Sequence, residues 1–438
     1  MIGFLGLQNK FYVFLILLVS YFISGCLGSD EVYDGDLDVF EGCSKLPGFP
    51  FGNHRQSYTK GAILPDISQK EMDVAVKRVY DNWKKQYLTS GSPCKKGHYW
   101  VKTDMDDSAT VSEAHGFGMI IVVYMAGYDK KAKTVFDGMY HYFRAHPSSR
   151  SNDLMAWAQD YKCKDAEGAD SATDGDLDIA YALLLADRQW GSAGDINYRK
   201  EARKVIRAIM SNEVYDSRYM MLGDWVGSSQ KYTDSTRLSD FMPGHMESFA
   251  ADNVSGLEGD WIDVRDGTYD IIKRVAHSKT GLVPDFVVGT MGSSPEPAPP
   301  GFLEGDEDGM YGYNSCRVPF RVGVNYVLSG NKSAKKFLTK FMDWALIETG
   351  GDPSEFVAGY RLDGTPNSDY DTLAFTAPLA VGAMTDKKYQ KFLNKLWDYV
   401  SEPEHKWSGY YSDTIQMLSL LVLSNNWWAP QDAVCVMK

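Results

Sequence analysis

Three acidic stretches of the chain have the residue types and spacing for proton transfer. In Thr110-Val-Ser-Glu-Ala-His-Gly-Phe-Gly-Met119, a single carboxyl group, Glu113, stands among small and apolar residues at the head of a long apolar segment. Poor solvation there disfavours the charged form, raises the pKa and lets the group keep a proton at neutral pH, as a general acid must. A carboxylate that merely answers the dipole of a helix start would occupy the same position. The second stretch, Ala172-Thr-Asp-Gly-Asp-Leu-Asp-Ile-Ala-Tyr181, sets Asp174, Asp176 and Asp178 at the head of another apolar run. One Asp suffices to cap a helix, and three within five residues exceed that need. The pattern lacks the Gly position and distal Glu of an EF-hand loop, so a sugar-binding or catalytic carboxylate is the sharper reading. The third stretch, Gly301 to Arg317, carries Glu304, Asp306, Glu307 and Asp308. It reads either as a solvated acidic loop or as the source of a partner for Glu113. Two carboxyl groups, one protonated and one ionised, are the equipment for cleaving a glycosidic bond.

Elements at helical spacing must position these groups. Apolar residues recur with a helical period, separated by turn clusters, over about 70–88, 111–127, 130–146, 174–190, 197–212, 239–253, 258–278, 315–329, 332–349, 370–384, 386–401 and 409–426. Twelve helices in sequential pairs predict one all-α (α/α)6 barrel over residues 61–438, with alternate helices inside and outside and the chemistry carried by loops at one end. No βαβ alternation or Gly-rich phosphate loop supports a dinucleotide fold. Two long irregular stretches interrupt the helices, at about 213–238 and at 281–313, and loops of that length in a compact chain are usually functional or disordered.

Composition narrows the function further. The 438 residues include 11 Trp, 27 Tyr and 20 Phe, a supply of flat faces suited to sugar rings or to a Tyr-rich core. The net charge of −13, with no basic stripe, argues against nucleic acid as a partner and would tolerate a polycationic substrate. Residues 1–26 read as an export signal ending in Ile23-Ser-Gly-Cys26, which resembles a bacterial lipobox; an ordinary cleaved signal is the alternative. The chain is thus expected outside the cell or on the outer face of its membrane, touching the membrane only through a lipid on Cys26, and as a monomer. Residues 27–60 read as an acidic tether and irregular lead-in. The five remaining cysteines leave at least one thiol unpaired in an oxidising compartment. No CxxC, HExxH or clustered His offers metal-ligand spacing.

Six segments, in order, resemble glycoside hydrolase family 8. They are Ser112–Met119, Ala172–Ala186, Arg237-Leu-Ser-Asp-Phe-Met-Pro-Gly-His245, Gly281-Leu-Val-Pro-Asp-Phe286, Tyr313-Asn-Ser-Cys-Arg317 and Tyr410-Tyr-Ser-Asp-Thr414. The resemblance implies an (α/α)6 barrel with an open cleft, inverting endo-hydrolysis of β-1,4-linked glycans, and no cofactor. By position, Glu113 matches the general acid and Asp174 the acid that holds a distorted sugar at the cleavage point. Where many members have the base Asp, this chain has Asn314, and an amide cannot serve. The pattern is that of the subgroup best known for chitosanases, in which a Glu of an inserted loop takes over. Phe302-Leu-Glu304 resembles the segment that supplies it, making Glu304 the expected base, Glu307 the reserve, and Asp306 or Asp308 more distant choices. Trp157, Tyr181, Trp225, Phe241 and Tyr313 are the expected aromatic platforms. Arg237, Asp240 and Arg317 orient the carboxylates or bind sugar hydroxyls, or else form structural ion pairs. Ala114-His115, where many members have Gly-Gln, is expected to alter the subsite near the acid. Chitosan ranks first as substrate, then cellulose-type and mixed-linkage β-glucans, then xylan. The competing readings are a glycan-binding lipoprotein without activity and an α/α-barrel lyase or isomerase.

Overall fold

The computed structural model describes residues 46–433 apart from 167, 229–230, 255, 404 and 406–408; the expected export signal, Cys26, Cys43 and Cys435 lie outside the described residues. Twelve α-helices follow in order: α1 (Gln69–Tyr87), α2 (Ser112–Tyr124), α3 (Ala132–Ala145), α4 (Thr173–Trp190), α5 (Tyr198–Asn212), α6 (Pro243–Ala251), α7 (Glu258–Val275), α8 (Val318–Ser329), α9 (Lys332–Glu348), α10 (Leu373–Ala383), α11 (Gln390–Val400) and α12 (Tyr410–Leu423).

Their sequences sort them into two rings. The odd-numbered helices carry an apolar stripe on an otherwise polar surface, as α1 does with Met72, Val76, Val79, Tyr80 and Trp83 buried, and such a helix belongs at the periphery. The even-numbered helices, apart from the short α6, are buried nearly all round: every residue of α10 is buried, and in α2 every residue but Glu113. Inside, α2, α4, α6, α8, α10 and α12 touch in a closed cycle, while α3, α5, α7, α9 and α11 each pack on the inner helix that precedes them and α1 packs on α12. This is the (α/α)6 barrel the periodicity predicts. Helix starts agree with local chemistry: Ser68 and Glu71 form a capping box on α1, and Asn331 caps α9. Two boundaries move. The expected 239–253 and 315–329 helices begin at Pro243 and Val318, because 238–240 and 315–317 are 3-10 turns and Pro243 and Pro319 stand in the first helical turn, where a missing N–H costs nothing.

The two irregular stretches are partly ordered as sheet. Ser235–Arg237, Phe286–Val288 and Glu296–Pro297 form an antiparallel three-stranded sheet, with Arg237 opposite Phe286. Under it, Met221, Leu222, Val226, Phe286, Ala298 and Phe302 make a small apolar cluster apart from the main core. Residues 46–60, expected within the tether, are irregular but fixed to the barrel: Gly48 N–H donates to Gln189 O at 2.8 Å, Thr59 N–H to Val327 O at 2.7 Å, and Phe49 is buried against Trp428. Cys94 and Cys163 form a disulfide, and Cys316 is a buried free thiol.

Candidate active site

A close approach of two inner helices sets the site. A Cβ on Gly116 of α2 would lie 2.6 Å from Asp178 Cβ, and one on Gly175 of α4 would lie 2.6 Å from the Ser112 carbonyl carbon. Glycine at both positions lets the helix starts touch, and Glu113 and Asp174 stand beside that contact. Arg317 comes from the 3-10 turn ahead of α8. Asp285 Oδ1 fixes this turn by accepting from Ser315 N–H at 2.7 Å, Ser315 Oγ at 2.6 Å and Gly312 N–H at 3.0 Å. Arg237 comes from the end of its strand, and Glu304 from the loop beyond the sheet.

These side chains line one open cleft of about 380 Å³. Arg317 Nη1 donates to Glu113 Oε2 and, at 3.0 Å, to Asp174 Oδ2, while Arg317 Nη2 donates to Asn314 Oδ1 at 2.9 Å. Asn314 Nδ2 donates in turn to Glu304 Oε2 at 2.8 Å. Arg237 Nη2 pairs with Asp174 Oδ1 at 2.9 Å, and its Nη1 stands 4.0 Å from Glu304 Oε1. Tyr410 OH donates to Glu113 Oε1 at 2.8 Å. One guanidinium and one amide therefore link the two glutamates across the cleft.

The environment drives the floor carboxyls in opposite directions. Burial raises the pKa of Glu113; Arg317 opposes this and the Asp174 charge adds to it, for a net rise. Burial would raise Asp174 as well, but Arg237 and Arg317 outweigh it and hold that group below the usual carboxylate range. The result is a proton carrier beside a fixed anion, the division of labour that acid–base chemistry on two carboxyls requires. Asp240, buried under Arg237 and bound to its Nε at 3.0 Å, is pushed up to about 7 by that burial.

The expected residues separate into those that face the cleft and those that do not. Glu113, Asp174, Glu304, Trp157, Arg237, Tyr313, Asn314 and Arg317 all line it. Trp157 and Tyr313 are 39% and 43% exposed, enough to present part of a ring to a sugar. Two expected platforms are corrected. Tyr181 is buried flat against His245, with ring centroids 3.8 Å apart, and Phe241 is buried in the core. Trp225 is half-buried, packs edge-on against Tyr232 beside Phe302, and is not among the residues lining this cleft. Asp240 braces Arg237 and does not line the cleft. His115 also points away: Nε2 meets Met139 O at 2.9 Å and the ring stacks on Tyr142, so the Ala-His pair alters core packing and not a subsite.

The remaining acids of the two clusters have other partners. Asp178 is held by Arg321 and His245. Asp308 is folded under the 303–305 turn, accepting from Leu303 N–H at 2.7 Å and Gly305 N–H at 3.0 Å. Glu307 accepts from Asn367 at 2.6 Å, and neither Glu307 nor Asp306 lines the cleft. Sequence reasoning passed over Tyr410, Tyr411 and Asp104, all on the cleft wall. The first two stand in the quoted Tyr410–Thr414 segment, whose place at the start of an apolar helix was the available signal. Among the described residues no group of three or more His, Cys, Asp or Glu is arranged to hold a metal ion.

Comparison with known proteins agrees with this geometry. The family model for glycosyl hydrolases family 8 matches residues 67–425. The chain is similar to a β-glucanase of Niallia circulans (45% identity over 388 residues, 87% of this chain and 92% of that one) and to an endoglucanase of Bacillus sp. strain KSM-330 (40% over 387 residues, 84% and 80%). Among solved structures it is similar to a β-1,3-1,4-glucanase from Paenibacillus sp. X4, with TM-score 0.83 and 44% identity over 87% of this chain and all of that one. An inner ring of six helices, a cleft at their starts holding a buried acid beside an ion-paired aspartate, and these matches together make the chain a member of glycosyl hydrolase family 8, an inverting enzyme that hydrolyses O-glycosyl bonds.

Proposed function

We propose that the cleft cuts internal β-1,4 linkages of a β-glucan. Glu113 protonates the leaving glycosidic oxygen as positive charge develops on the sugar ring. Glu304 takes a proton from the water that attacks the opposite face, and Asp174 holds the distorted ring between Arg237 and Arg317. Inversion by two carboxyls requires about 6.5–9.5 Å between them to admit that water. The observation that carries the reading is the Glu113–Arg317–Asn314–Glu304 relay, with a raised acid at one end and an exposed carboxylate at the other. The substrates named for the Niallia, Bacillus and Paenibacillus proteins support glucan as the polymer.

A second substrate is favoured by charge. With Glu113 protonated, Asp104, Asp174 and Glu304 still line the cleft against two guanidinium groups, an acidic balance that suits the protonated amines of chitosan. Asn314 beside a loop glutamate is the arrangement the family resemblance associates with that activity. Export with a lipid on Cys26 completes the proposal, supported by the Cys94–Cys163 disulfide, a bond typical of oxidising compartments. The test is release of reducing ends and loss of viscosity on carboxymethylcellulose, lichenan, soluble chitosan and xylan. Viscosity should fall ahead of reducing ends on the glucans, and chitosan cleavage should weaken with salt. Binding without release on every polymer would instead select a glycan-binding protein without activity.

A further inference from the structure

Behind the cleft floor lies a second carboxyl cluster that the chemistry above does not use. Asp176, half a turn beyond Asp174 on α4, and Glu213, just after α5, are both fully buried. Each has one oxygen engaged: Asp176 Oδ1 accepts from Met155 N–H at 2.9 Å, and Glu213 Oε1 accepts from Ser171 Oγ. The two carboxyls act on one another side chain to side chain, and neither Asp176 Oδ2 nor Glu213 Oε2 meets an N–H or O–H donor. Two carboxylates cannot donate to each other, so only a proton held between them would satisfy both oxygens.

We propose that Asp176 and Glu213, a buried carboxyl pair sharing one proton, are positioning residues that seat the Asp174 end of α4 against the segment carrying Trp157. The connections run through named bonds. Met155, held by Asp176, lies two residues before Trp157, whose carbonyl accepts from Ser112 N–H at 2.7 Å next to Glu113. Ser171, held by Glu213, lies three residues before Asp174; its N–H donates to Asp224 Oδ1 at 2.9 Å, and Asp224 Oδ2 accepts from Ser148 Oγ. The charged groups acting most strongly on the pair are Asp224 and Asp174, both acids. When the shared proton is lost to solvent, two anions face each other with no donor between them and the segment is pushed from α4.

The sign of the pH dependence follows. Burial raises both groups well above the ordinary carboxylate range, so over that window the folded protein binds more protons than the unfolded chain. Stability from the pair is present at low pH and is lost as pH rises. Asp176→Asn removes the titration while keeping an acceptor for Met155 and supplying an N–H to Glu213.

The proposal rests on reading the cleft as a glycan site, and the experiment separates the two ideas. Binding of a six-unit β-1,4 gluco-oligosaccharide is followed by tryptophan fluorescence between pH 5 and 9 in full-length Glu113→Gln, where the general acid no longer titrates, and again with Asp176→Asn added. Affinity is expected to fall about fivefold or more with rising pH in the first protein and to stay within about twofold in the second. Parallel falls, or no fall in either, would overturn the proposal. Melting temperatures of wild type and Asp176→Asn across the same range use no glycan: the wild type should lose stability more steeply, and equal slopes would also overturn it. Glu213→Gln replaces Asp176→Asn if the latter does not fold. Absence of binding at every pH would strike the glycan reading, and the melting slopes would still decide the pair.

Discussion

Glu113 stands in the first turn of a helix buried on all sides, with 16% of its side chain exposed, whereas Glu304 stands in a turn outside any helix or strand, with 51% exposed. The floor around Glu113 is made by glycine-mediated contact of α2 and α4, with Asp174 clamped by two arginines. The rim around Glu304 is made by a short turn wrapped on the Asp308 carboxylate and anchored by buried Phe302. The difference follows from the chemistry each region must do. An acid that keeps its proton needs poor solvation, which only a packed floor supplies. A base that activates water must meet water, which only a rim supplies. Rigidity is therefore concentrated on the donor side and accessibility on the acceptor side.

That contrast can be broken most severely at the floor. Glu113→Gln removes the proton donor without changing shape, and turnover on a soluble β-glucan should fall by about 10²–10⁴ while oligosaccharide affinity is kept; steady-state kinetics with a binding assay checks both. Asp174→Asn leaves Arg237 and Arg317 facing a neutral amide. Breaking such a buried pair costs roughly 3 kcal/mol, visible as a lowered denaturation midpoint.

The pH profile sharpens the comparison with a smaller effect. Glu113 acts protonated and its pKa is raised by burial, so kcat/KM should decline, about tenfold per pH unit, as pH rises through that raised value. Because the Asp174 charge contributes to the rise, Asp174→Asn should move this alkaline limb to lower pH. The mildest change belongs to the wall: Trp157→Ala should raise KM about threefold to tenfold, corresponding to ~0.5–1.5 kcal/mol of ring contact, with kcat unchanged.

The floor was far more legible in the sequence than the rim. Helices with one apolar stripe and helices apolar all round alternate, so both the count of twelve and the inner–outer order follow from periodicity. Glu113 and the Asp174 triplet stand at helix starts, where the chain direction dictates that they meet at one end. What periodicity could not tell is which way each acid turns. Asp174, Asp176 and Asp178 share one helix end yet go to the cleft, to Glu213 and to Arg321. Within Glu304–Asp308, local composition gives four equivalent acids, and only the turn separates Glu304 on the cleft from Asp308 beneath it. Tyr181 and Phe241 were drawn to the cleft by residue type, but the inner ring buries them; aromatic identity carries no direction. The Glu304 loop took its meaning from partners distant in sequence, such as Arg237 and Asn367.

The most direct test of the two-carboxylate account compares Glu304→Gln with Glu307→Gln on a soluble β-glucan, measuring oligosaccharide affinity on the same preparations. The account predicts that Glu304→Gln loses about 10²–10⁴ in turnover with affinity retained, and that Glu307→Gln stays within about twofold of wild type. A Glu304→Gln enzyme near the wild-type rate, or a collapse confined to Glu307→Gln, would contradict it.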